Sequence, residues 1–507
     1  MFHKFYKKDE ENFSVPICEI CGKTRTKRHL KPFLKMMRHL KLTFFALLIT
    51  TVALQAQTMD STLIEVQIEG IPAGKTRMIG VFGDRNYIAD SAVVDATGRF
   101  EIRRKNLLSP GFYTFLLPGG NKNFSILIDQ DQRFTMRANA GDIGGTMQVI
   151  GSVNTALFYD NYRFQAKQDP ELQKVAETMR ANPESSPEHQ KAKARQTQIL
   201  DERKKHLEEI YTKYPDAFFT KFKMAGQNPD LTYPRKPNGD LDTLRQILHY
   251  RSHFWDNVDF SDTRLLYTPV IGNKLRRYIK EMTPQNRDSI IPVADALIRR
   301  VLPHKPYFQF FANWIALQYE NTKTTVMDGE AVYVHIVKNY FTPELAYWDK
   351  PENLEKLQKH AWEMEASLLW KKGPDVRAKD IITGQEKSIY EIKAPIVVVF
   401  MFSPDCEHCQ KAAPQLREIA RNWKSRGVEF FGIGVSTTAE ELKPFVQKSG
   451  FDFPVVFDPT NRAIYAKYFV DITPELYVLN KDRTIVAKNL HAEQLEEVFQ
   501  RELKKMK

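Results

Sequence analysis

Ile396-Val397-Val398-Val399-Phe400-Met401-Phe402, running on through Ser403-Pro404-Asp405 into Cys406-Glu407-His408-Cys409, decides how the C-terminal part of this chain is read. An apolar run without alternation is what a strand covered on both faces requires. Two thiols then stand two residues apart, where the strand gives way to a helix. The first N–H groups of that helix lack intrahelical partners, and together with the helix dipole they favour a thiolate over a thiol at the first cysteine. Cys406 is therefore the expected nucleophile and Cys409 the resolving thiol. A cationic His408 would stabilise the Cys406 thiolate, while Glu407 and Asp405 would oppose it. Glu407 and His408 are thus read as redox-tuning groups whose net sign stays open.

Outward from this stretch, strands and helices alternate. A helix is expected over Cys409 to Lys424, a buried strand over Val428 to Val435 and a helix over Ala439 to Ser449. A short strand follows at Phe453 to Phe457, then a helical turn over Ala463 to Tyr468. Strands at Leu476 to Asn480 and Thr484 to Lys488 and a closing helix over Ala492 to Lys505 complete the segment. Such alternation implies a mixed sheet with helices on both faces, over residues 373–507.

Three features of this segment together resemble the thioredoxin-like family of the TlpA/ResA type. They are the CxxC at a strand-to-helix junction, Pro414 five residues after Cys409, and Thr473-Pro474 just before a strand. The resemblance implies a thioredoxin fold, a structural role for Pro414 as a helix-kinking proline, and a cis bond before Pro474. It also implies substrate binding at Thr473 and Pro474, where the backbone of Thr473 would pair with an incoming cysteine peptide. The chain departs from the family at three places. The usual Trp before the first Cys is missing, Ala412 stands where many members carry a buried Glu, and Phe400 stands where plain thioredoxins hold a buried Asp. Proton handling would then fall to Glu407, His408 or water.

The chain of 507 residues is too long for one ordinary domain. Residues 36–56 have a short basic start, an apolar stretch from Leu42 to Leu54 and a small residue at Ala56, the layout of a cleaved secretory signal. Residues 1–35 are read as an upstream extension or a mis-assigned start, with Met36 or Met37 as the alternative first residue. Cys18 and Cys21, with His29 nearby, form half of a zinc site and lack a second pair, so no metal is expected there. Beyond the signal only Cys406 and Cys409 remain, which in an exported protein argues for a catalytic disulfide over a structural framework.

From 60 to 150, short alternating segments and turn residues predict an antiparallel β-sandwich, with Asp95-Ala96-Thr97-Gly98 as a hairpin turn. It reads as a binding module or as a scaffold. From 151 to 372, apolar residues recur at helical spacing and prolines, Pro170, Pro183 and Pro187 among them, divide the region into separate helices. This all-α middle domain holds an aromatic cluster from Tyr307 to Trp314, read as core. Its histidines show no metal-ligand spacing.

The net charge of +12 does not mark a nucleic-acid binder. Residues 1–56 carry eleven Lys or Arg against four acids, which leaves only +5 for the rest of the chain. The expected function is an exported thiol:disulfide oxidoreductase of the periplasm or cell envelope, reducing or isomerising disulfides through Cys406 and Cys409. Its partners would be protein thiols and disulfides of the envelope and an upstream thiol reductant or oxidant. No cofactor, metal or nucleic acid is called for, and membrane association would need an uncleaved signal segment. The competing reading is a non-catalytic envelope binding or assembly protein whose CxxC is a structural or redox-sensing disulfide.

Overall fold

The computed structural model describes residues 61–320, 326–460, 467–470 and 472–506. The signal segment, the Cys18–Cys21 pair and most of the helical turn expected over 463–468 lie outside the described residues. Ser61–Lys507 form one compact unit.

Its first region is two packed sheets. Strands β1 (Thr62–Glu69), β4 (Arg99–Arg104), β7 (Arg133–Asn139) and β8 (Gln148–Ile150) form one, in the order β4-β1-β7-β8. The other runs β3-β2-β5-β6, from β2 (Gly74–Phe82), β3 (Arg85–Val94), β5 (Gly111–Leu116) and β6 (Asn123–Ile128). The described ladders here are antiparallel except β1 with β7, which is parallel. Alternation does what the sequence pattern predicts: Ile64, Val66 and Ile68 point inward to meet Ile102, Phe115 and Ile126, while the residues between them face outward. The turn at Asp95–Gly98 forms, with the Asp95 carboxylate accepting from the backbone of Thr97 and Arg99. It is not a hairpin, however, because β3 and β4 belong to different sheets. Gly98, at φ +77°, lies so close to the Ile68 carbonyl that a Cβ would sit 2.0 Å from it. The Ile68 N–H bonds the Gly98 carbonyl, so the chain leaves the turn already paired to β1.

The middle region is helical: α1 (Val153–Ala181), α2 (Pro187–Lys213), α3 (Phe218–Gly226), α4 (Thr243–Ser252), α5 (Pro269–Arg276), α6 (Arg287–Val301), α7 (Lys305–Gln318), α8 (Glu330–Tyr340) and α9 (Pro351–Glu365). Pro170 does not divide helices as the sequence suggests; it lies inside α1. Beside the proline α1 is paired to α2, through Arg203 to Asp169 and Arg195 to Glu171. Pro183 lies in the turn between α1 and α2, and Pro187 opens α2, where a missing N–H costs nothing. Tyr307, Phe308, Phe311 and Trp314 are buried in α7 as core. Trp314 also donates its indole N–H to Asp84 of the sandwich at 2.7 Å, joining the first two regions.

The C-terminal region is built on a sheet ordered β13-β12-β11-β14-β15. It comprises β11 (Ile396–Phe402), β12 (Val428–Gly434), β13 (Val455–Phe457), β14 (Glu475–Leu479) and β15 (Ile485–Lys488), with a small β9 (Arg377–Lys379) and β10 (Glu386–Ser388) pair beside it. Every residue of β11 is buried, as its unbroken apolar run requires. It lies parallel to β12 and antiparallel to β14. On one face, α10 (Glu407–Lys424) and α12 (Leu495–Lys504) pack Leu416, Trp423, Leu495 and Phe499 against Val398, Phe400 and Val478. The other face, carrying Val397, Val399 and Tyr477, is covered by Leu369, Val376 and Ile389 from the chain leading in. Helix α11 (Ala439–Ser449) follows β12, held by a reciprocal capping box between Thr438 and Glu441.

Candidate active site

The strand β11 ends at Phe402, and the loop Ser403–Asp405 turns the chain into α10. Two bonds shape that loop: the Cys406 N–H donates to the Ser403 carbonyl at 3.2 Å, and the Gln410 side chain donates to the Pro404 carbonyl at 2.7 Å. Cys406 becomes the N-cap of α10, a position that Ser, Thr, Asp or Asn usually fills. Its sulfur takes the place of their oxygen and accepts the Cys409 backbone N–H at 3.2 Å. Cys409, one turn in, is fully buried, whereas Cys406 is half-buried. Both cysteines are free thiols.

Across from them, Thr473 precedes a cis peptide bond to Pro474. The Cys406 thiol donates to the Thr473 carbonyl at 3.3 Å, so the loop before β14 and the start of α10 meet at the reactive sulfur.

The two thiols feel opposite environments. Burial works against ionising Cys406, yet hydrogen bonds from Cys409, Thr473 and the backbone N–H groups of Cys409 and His408 outweigh it, and its pKa falls below the usual thiol value. Burial dominates at Cys409 and the neighbouring Cys406 adds to it, outweighing hydrogen bonds from Ser403 and Thr473, so the Cys409 pKa is pushed up to about 12. Cys406 is therefore the more readily ionised of the two thiols.

The remaining candidates fall in two groups. Glu407 and His408 are exposed on the first turn of α10, and Glu407 reaches Lys411 at 2.6 Å. What acts on Cys406 from position 408 is the backbone N–H. Pro414 lies exposed within α10, one turn past Cys409. Phe400 is fully buried and stacked on Phe402 with ring centroids 4.6 Å apart, and Ala412 is half-buried on α10. Neither offers a carboxylate, and the groups acting most on Cys409 are burial, Cys406, Ser403 and Thr473. Among the described residues no cluster of three or more His, Cys, Asp or Glu is placed to hold a metal ion.

Sequence reasoning missed the layer behind the site. Glu475, Tyr477 and Lys488 are all buried on the sheet face away from α10. A charged residue at the edge of the buried runs ELYVL and IVAK was the available signal, since a buried charge must find a partner.

Parts of the chain are similar to known proteins. Residues 370–488 match the AhpC/TSA family, and residues 186–369 match a domain of unknown function, DUF5106. The thiol-disulfide oxidoreductase ResA of Bacillus thuringiensis (strain Al Hakam) is 27% identical over 142 residues, 28% of this chain and 80% of that protein. ResA of Bacillus cereus (strain ATCC 10987 / NRS 248) is 25% identical over 166 residues, 33% of this chain and 87% of its own length. The C-terminal region thus resembles thioredoxin-like proteins. A solved thioredoxin-like protein from Bacteroides caccae aligns over 54% of this chain and 98% of its own, at 18% identity and a TM-score of 0.42. Within this region the cysteine pair occupies the junction of the central strand β11 and α10.

Proposed function

We propose that the chain is an exported thiol:disulfide oxidoreductase that reduces or isomerises disulfides of envelope proteins through Cys406 and Cys409. The observation that carries this reading is the N-cap seat of Cys406, half-buried and facing Thr473, above a fully buried Cys409. The name shared by the Bacillus relatives supports the reaction class.

The Cys406 thiolate attacks one sulfur of a substrate disulfide. That S–S bond breaks, a mixed disulfide forms, and the expelled substrate thiolate takes a proton from water. Cys409 then gives up its proton and attacks the Cys406 sulfur, releasing the second substrate thiol. Two electrons have passed to the substrate, and Cys406 and Cys409 end as a disulfide that an upstream thiol reductant restores. Thr473 and Pro474 form the docking edge for the substrate backbone, Pro414 shapes α10 below the pair, and Glu407 and His408 modulate the site from its exposed rim. The segment 36–56 would direct export, which brings the site to envelope disulfides and leaves membrane attachment to an uncleaved signal alone.

Replacing Cys409 removes the resolving thiol, so Cys409→Ala is expected to accumulate mixed disulfides through Cys406, seen as reductant-sensitive adducts on gels of cell envelopes. Wild-type protein is expected to reduce insulin. Absence of both adducts and insulin reduction sinks the proposal.

A further inference from the structure

The segment that carries Thr473 has its two ends fastened by a single side chain. Tyr477, in β14, is 1% exposed and lies on the sheet face away from α10. Its hydroxyl shares one proton between two acceptors, the Tyr468 carbonyl at 3.0 Å and a Glu475 carboxylate oxygen at 2.8 Å. Tyr468 lies before Thr473 and Glu475 lies after it. Burial lifts the Tyr477 hydroxyl well above its ordinary pKa, so it remains a donor at any working pH.

The ring of Tyr477 is itself held. Lys488 lies opposite it in register on β15 and places Nζ 5.3 Å from its centroid. Lys488 is 2% exposed and is fixed by groups of the helical region: Glu330 at 3.4 Å, Asp328 at 3.9 Å and the Ser367 carbonyl at 3.1 Å. From a second side, His360 of α9 meets the ring of Phe469 edge-on at 4.9 Å. The carbonyl that faces Cys406 thus belongs to a segment braced from behind by another part of the molecule.

We propose that Tyr477 is a positioning residue for the redox centre, and that through Lys488 the helical region sets where the Thr473 edge stands when it receives a substrate peptide. This rests on the thiol–disulfide exchange proposed above. It gives the helical region a task in that exchange, as a brace for the docking edge, without any contact to the thiols.

Tyr477→Phe keeps the ring and removes only the hydroxyl. In the full chain it is expected to raise KM for a disulfide-bonded peptide about tenfold, the effect of one lost hydrogen bond. The rate with a small aryl disulfide, which has no backbone to dock, is expected to stay near wild type, while the melting temperature falls modestly because the Tyr468 carbonyl and Glu475 lose a buried donor. Glu475→Gln keeps an acceptor for the hydroxyl and is expected to retain the wild-type KM. Unchanged KM in Tyr477→Phe, or equal losses with peptide and aryl disulfide, overturns the proposal while leaving the exchange reading intact. A wild-type chain that turns over neither disulfide overturns both.

Discussion

Cys406 and Cys409 share one helical turn, and their chemistry diverges because one sulfur caps the helix while the other is sealed beneath it. Cys406 receives N–H groups that stabilise its anion; at Cys409 burial and the neighbouring sulfur outweigh the opposing hydrogen bonds from Ser403 and Thr473. Alkylation by iodoacetamide is therefore expected to modify Cys406 alone at neutral pH. Its rate should rise with pH to a plateau at the lowered Cys406 pKa, and Cys409 should react only as pH approaches about 12. Mass spectrometry of the alkylated peptides decides this. Thr473→Val removes the hydroxyl that helps hold the Cys406 anion, so the thiolate absorbance of that variant should titrate at higher pH than wild type. The N-cap seat of Cys406 was legible in the sequence, because that geometry follows from a strand giving way to a helix at a CxxC. The size of the split between the two pKa values was not, since it depends on how deeply the fold buries each sulfur.

At the scale of elements, the strands that are apolar throughout and the helices that follow them were readable, since burial on both faces leaves no other pattern. The elements that escaped did so where tertiary contacts overruled a local signal. Pro170 stays within α1, where α2 pairs with the residues on both sides of it, and Asp95–Gly98 joins two sheets, with Gly98 bonded to β1. Neither contact leaves a trace in the local sequence. Helix α11 is the opposite case, with Thr438 and Glu441 three apart as a capping signature and Gly450 closing the helix in the left-handed conformation at φ +65°. Thr438→Ala should cost about 1 kcal/mol of stability in chemical denaturation. The thiol chemistry should be unaffected, because the hydrogen bonds of Cys406 run to Ser403, Cys409, Gln410 and Thr473, outside α11.

At the scale of the whole molecule, the thioredoxin-like domain and the helical region are joined by a buried charge cluster that the sequence could not reveal, since its members lie at positions 287, 328, 330 and 488. Asp328 is fully buried, accepts from Arg287 and from the Leu369 N–H at 3.2 Å, and faces Lys488. Asn489 donates to Glu330 at 2.7 Å. Removing one member of such a cluster strands the others. Lys488→Met is expected to cost roughly 3–5 kcal/mol at neutral pH, because two buried carboxylates lose their shared cation. The pH dependence has a definite sign. Burial raises the Asp328 pKa above its ordinary 3.8, with Lys488 and Arg287 opposing the rise. A carboxyl whose folded pKa is raised favours the folded state below its unfolded pKa and loses that contribution as pH climbs through the folded value. Without Lys488 the rise is larger, so the stability deficit of Lys488→Met should be greatest at neutral pH and shrink as pH falls toward the carboxylate range. Denaturation of both proteins across that range, followed by tryptophan fluorescence, tests it: a deficit that is constant with pH would mean that Lys488 contributes by packing and not by pairing with Asp328.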